Sequence, residues 1–84
     1  MTLKDLIKDK DYDYIECRTT LPERFGGGDT WFGSCKSENG VLIPLDQDDY
    51  YDDVELLSYE EWSRNDEECV IKNGLTIVTE GHWI

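Results

Sequence analysis

No stretch of this 84-residue chain approaches the roughly 20 consecutive apolar residues that a membrane-spanning helix needs. The opening MTLKDLIKDK also lacks the apolar run of a secretory signal. A soluble cytoplasmic protein is expected. Histidine occurs once, at His82, and cysteine three times, at Cys17, Cys35 and Cys69. The cysteines are odd in number and widely spaced, without a C-x-x-C pair, so the sequence holds neither a redox motif nor half of a zinc site. They read as small buried hydrophobes.

These shortages narrow the chemistry. A Cys-His pair would have to use His82, beside Trp83 near the end of the sequence, and nothing flanking a cysteine resembles a nucleophile motif. Carboxylates are numerous enough for glycoside hydrolysis, but so short a chain has little room for the deep cleft that raises a carboxyl pKa. No enzyme activity and no cofactor are expected. Gly26, Gly27 and Gly28 form the only glycine run, and it leads to Asp29 rather than to G-K-[ST], which argues against a nucleotide-binding loop.

What the chain does contain suits a folded domain. Hydrophobic residues make up 38% and aromatic residues 12%, well above the apolar poverty of disordered chains. One domain over 1–84 is expected, burying about 60 to 65% of the surface that its unfolded chain exposes.

Local patterns give the elements. Thr2 is placed to cap a short helix with Asp5 at the third helical position, setting Leu3, Leu6 and Ile7 on one face. Over 12–20 the residues alternate, with Ile15, Cys17 and Thr19 against Tyr14, Glu16 and Arg18, as in a half-buried strand. Pro22 and the three glycines make 20–29 a mobile loop. A second strand over 30–36 is followed by Asn39-Gly40, a type I′ turn signal, and a strand over 41–45. A short strand is expected at Val54, Leu56 and Leu57. Ser58 followed by Glu61 reads as a capping box, so YEEWSRN is expected to be a helix that lays Trp62 on the core. Asn73-Gly74 suggests a second hairpin, joining 69–71 to 75–79. The sum is an α+β domain with one antiparallel sheet of about five strands, two Asn-Gly hairpins and two short helices. Trp31, Trp62 and Tyr59 are expected in the core.

Charge is the strongest feature. Of the 20 acidic residues, eleven fall within 46–68 against one basic residue, Arg64, while 1–45 holds eight acidic and six basic residues. A block like this repels itself and projects negative potential over about 8 to 10 Å at physiological salt. It disfavours nucleic acid and anionic membranes and attracts basic protein surfaces. Since duplex DNA presents one phosphate per about 1.7 Å of axis, a folded acidic surface is able to occupy a nucleic-acid groove as a mimic. The simpler account is that the acids keep a small protein soluble.

The candidate partner-binding residues are Asp46, Asp48, Asp49, Asp52, Asp53, Glu60 and Glu61, with Tyr50 and Tyr51 as aromatic anchors. Arg24 and Phe25 offer a weaker contact point. The alternative use of the carboxylates is divalent-cation binding, or a purely structural accessory role. Asp46 and Asp48 stand where the first EF-hand ligands would, but Tyr51 replaces the required glycine and Leu57 the bidentate glutamate. No dedicated metal site is expected.

The segments MTLKDLIKDKDYDY, TWFG, SYEEW and NGLTIVTEGHWI together resemble small uncharacterised acidic proteins of bacterial conjugative and phage-like mobile elements. Some small acidic proteins of such elements are anti-restriction or anti-CRISPR inhibitors that mimic DNA. The resemblance implies a similar accessory role, and it transfers no residue of known chemistry.

Overall fold

The computed structural model describes residues 1–21, 23–45 and 55–80, with Phe32 described by its backbone only. The elements are helix α1 (Leu3–Ile7), strand β1 (Tyr14–Thr20), a single 3-10 turn (Glu23–Phe25), and strands β2 (Asp29–Glu38), β3 (Val41–Pro44), β4 (Leu56–Asn65) and β5 (Val70–Thr79). The five strands form one sheet in the order β3-β2-β1-β5-β4. Three neighbouring pairs are antiparallel, but β1 and β5 run parallel. The expected all-antiparallel sheet is therefore corrected to a mixed one. The long excursion through β2, β3 and β4 brings the chain back beside β1 in the same direction, as a parallel pairing requires.

The first half follows its local signals. Thr2 and Asp5 form the capping box, with the Asp5 amide bonding the Thr2 hydroxyl at 3.3 Å and the Thr2 amide bonding Asp5 Oδ2 at 2.9 Å. β1 buries alternate residues, among them Ile15 and Cys17, each 0% exposed. Asn39 and Gly40 take the positive φ angles of 54° and 77° that a primed hairpin turn demands. The loop after β1 contains the 3-10 turn over Glu23–Phe25. It closes on a hydrogen bond from the Leu21 amide to the Gly28 carbonyl at 2.9 Å, and Gly26, Gly27 and Gly28 all have positive φ. Those backbone angles, which L side chains rarely adopt, account for the glycine run.

The second half departs from its signals. The segment expected to be a second helix is the middle of β4, so the domain holds one short α-helix among the described residues. A helix of about two turns is marginal without tertiary support, and pairing with β5 satisfies the backbone along ten residues instead. The second Asn-Gly hairpin is likewise absent, because β5 runs straight through Asn73 and Gly74. The turn that joins β4 to β5 lies earlier, where Asp66 Oδ1 accepts from the amides of Glu68 (3.0 Å) and Cys69 (2.7 Å).

Gly74 has a packing reason in place of a turn. Opposite it stand Tyr14 on β1 and Trp62 on β4, and a Cβ there would lie 2.6 Å from the Trp62 ring. The glycine leaves room for the indole, whose Nε1 donates to Thr76 Oγ1 at 2.9 Å and whose ring meets that of Tyr14 at 6.1 Å between centroids. This is the use of strand glycine for close approach.

The core gathers Leu3, Ile7, Tyr12, Ile15, Cys17, Cys35, Leu75 and Ile77, with Leu6, Leu42 and Leu56 packed against it. It lies between α1 and one face of the sheet. Trp31 and Tyr59, expected in it, are instead 48% and 46% exposed, and Trp62 is half-buried beside Gly74. Among the described residues no helix is long and apolar enough to cross a membrane.

Candidate functional site

The acidic region meets the fold at β4, the last strand of the sheet. Asp46, Asp48, Asp49, Tyr50, Tyr51, Asp52 and Asp53 lie outside the described residues. Glu60 and Glu61 sit side by side on β4, paired with Thr76 and Leu75. Successive strand residues point to opposite faces, so the two carboxylates do not share a surface.

Their surroundings differ accordingly. Glu60 is exposed. Glu61, on the core side, accepts a 2.5 Å hydrogen bond from the buried Tyr12 hydroxyl and lies 3.5 Å from Lys10 Nζ. The Tyr12 bond, then the Lys10 charge, holds the Glu61 carboxyl below its ordinary range. Burial, reinforced by the same bond, pushes the Tyr12 phenol above its own. Glu61 Oε1 thus joins the segment after α1 to β4 while its side chain stays 51% exposed, and Glu60 is exposed on the other face.

Further acids ring the strand. Glu55 precedes it, bridged to Thr2 in antiparallel fashion, and the Leu56 amide donates to the Met1 carbonyl at 2.9 Å. At the far end, Asp66 accepts from Arg64 Nε at 2.6 Å as well as from the turn amides. Arg64 foremost, then the Cys69 amide, lowers the Asp66 carboxyl. Glu67 and Glu68 are exposed. On β4 itself Leu57 and Tyr59 are exposed apolar side chains. Only two of the ten residues, Leu56 and Trp62, are even half-buried.

The remaining sequence candidates take structural places. Cys17 and Cys35 are buried in the core, Cys69 is half-buried at the β4–β5 turn, and His82 lies outside the described residues. Arg24 stacks on Phe25, which is 58% exposed at the tip of the β1–β2 loop. An open polar depression of about 460 Å³ is lined by Asp11, Tyr12, Asp13, Lys36, Ser37, Glu38 and Asn39. Its aspartates accept from backbone amides, Asp11 from Asn39 at 2.8 Å and Asp13 from Asn73 at 3.2 Å. They pin the segment before β1 to the Asn39-Gly40 turn and to Asn73 on β5. Among the described residues no three His, Cys, Asp or Glu side chains gather as metal ligands would.

Comparison with protein-family models, curated proteins and solved structures finds no significant match to this chain.

Sequence reasoning missed the edge strand itself. The signal was present in the unbroken run LLSYEEWSRN, free of glycine and proline and carrying Tyr and Trp, residues that favour strands.

Proposed function

We propose that this protein is a non-enzymatic, cytoplasmic protein-binding module that holds a basic protein surface through its acidic stretch, in the manner of a DNA-mimic inhibitor. The observation that carries this reading is the segregation of charge, eleven acidic residues against one basic within 46–68. Such a density on one stretch steers a basic partner and competes with phosphate for it. Asp46, Asp48, Asp49, Asp52, Asp53 and Glu60 supply the charge, and Tyr50 and Tyr51 add contact area. Glu61, with Oε1 bonded to Tyr12 and beside Lys10, serves the fold as well as the surface.

The test immobilises the wild type beside a variant with the five aspartates of 46–53 replaced by asparagine and exposes both to bacterial lysate at low and moderate salt. A basic nucleic-acid-binding protein is expected on the wild type alone, released by added duplex DNA. Equal retention by both forms, or release by salt without any effect of DNA, overturns the reading.

A further inference from the structure

The sheet ends on two edges of unlike character. β3 is four residues long and contains Pro44, which has no amide hydrogen to offer a neighbouring strand. β4 is ten residues long. Among the described residues its outer side pairs at its very start, where Met1 and Thr2 meet Leu56 and Glu55. Its inner pairing with β5 is regular over 58–62, between register shifts at Leu56/Ser58 and Trp62/Arg64. This regular stretch of about 17 Å, at about 3.4 Å per residue, presents carboxylates on both faces of the sheet, Glu60 on one and Glu61 on the other.

We propose that the outer edge of β4 receives an extended, lysine- and arginine-rich segment of another protein as an added strand. The proposal rests on the acidic-surface reading above and specifies its mode of contact. Charge chooses the occupant. A second copy of β4 would set its own Glu60 and Glu61 against these, and like charges across a strand pair are destabilising. A basic strand sets lysine and arginine opposite the carboxylates on each face, with Cβ atoms about 5 Å apart, and its main chain takes up the edge hydrogen bonds, as in other strand-addition complexes. Tyr59, 46% exposed on β4, adds aromatic surface for the arms of lysine and arginine. The same acids that discourage self-pairing of the edge therefore select a cationic partner.

The test records amide NMR spectra of the full chain with three probes: a short capped peptide of Lys, Arg and Val, the same peptide N-methylated at alternate residues, and polylysine. N-methylation keeps the charge and removes main-chain donors. The unmodified peptide is expected to shift the amides of 58–62 and to lose about tenfold or more in affinity on methylation, the scale of one or two lost hydrogen bonds. Equal affinity of the two peptides, or shifts that spare 58–62, overturns the added-strand inference while leaving the acidic-surface reading intact. If neither the peptides nor polylysine binds, both fall together.

Discussion

β1 and β4 are both strands of the same sheet, yet they are built on opposite terms. β1 sits between two partners and buries every second side chain, Ile15 and Cys17 completely. β4 has β5 on one side and leaves eight of its ten residues exposed. Burial disciplines the pattern of a central strand, because a one-residue slip would carry its apolar side chains to the wrong face. An edge strand in solvent is under no such constraint. Its residues are available to charge, and β4 carries two acidic residues, Glu60 and Glu61, against one basic residue, Arg64.

The largest difference between the two should appear in stability. Replacing Ile15 with Ala removes a fully buried side chain that pairs with Cys35 and Leu75. It is expected to cost about 2 to 5 kcal/mol, on the order of the whole stability of so small a domain. Tyr59→Ala on β4 should cost well under that, since the ring is already 46% exposed. Urea denaturation followed by tryptophan fluorescence checks both. Ile15→Val, expected at about 0.5 to 1.5 kcal/mol, keeps the comparison measurable if Ile15→Ala does not fold. Similar costs for Ile15→Val and Tyr59→Ala would erase the contrast.

The same contrast explains what could be read in advance. The Thr2 capping box, the alternation of β1 and the Asn39-Gly40 turn depend on residues close in sequence, and each was legible. β4 and β5 are decided by one another. Ser58 and Glu61 satisfy a local helix signal, but their backbone partners are Val78 and Leu75, and no local rule anticipates a ladder with residues so far along the chain. Asn73-Gly74 satisfies a local turn signal, but the glycine answers to Trp62. Of the candidate site, the concentration of charge was legible and the commitment of Glu61 was not, since its partner Tyr12 stands 49 residues away.

Gly74→Ala tests whether that glycine is a packing residue or a turn residue. The added methyl would sit 2.6 Å from Trp62, so the indole must move, at an expected cost of about 1 to 3 kcal/mol. In a Trp62→Leu background the same substitution should cost far less, and in the single variant the Trp62 indole proton, bonded to Thr76, should shift. A cost unchanged by Trp62→Leu would return Gly74 to a conformational role and weaken the account of β5 as one continuous strand.

The smallest effect expected concerns the link that ties β4 to the rest of the fold. Tyr12→Phe removes the hydroxyl that donates to Glu61 and should cost on the order of 1 kcal/mol, the net worth of one hydrogen bond. Its pH dependence is more telling. Glu61 titrates below its ordinary value when folded, chiefly because of the Tyr12 bond. Its contribution is therefore present above the unfolded carboxyl pKa of about 4.3 and is lost as pH falls through the folded value. Tyr12 titrates above its ordinary value, through burial first and the Glu61 bond second. Its contribution is full below the unfolded phenol pKa of about 10 and declines as pH rises beyond it. The Tyr12→Phe variant has no phenol to ionise and leaves Glu61 without its main stabilising partner. Stability against pH should then fall less steeply at both ends than in the wild type, while Glu60→Gln should leave the alkaline limb unchanged because the Tyr12 hydroxyl donates to Glu61. Equal slopes for Tyr12→Phe and wild type would mean that the Tyr12–Glu61 bond adds nothing to the hold on β4, and that Tyr12 leaves Glu61 as available to a partner as Glu60.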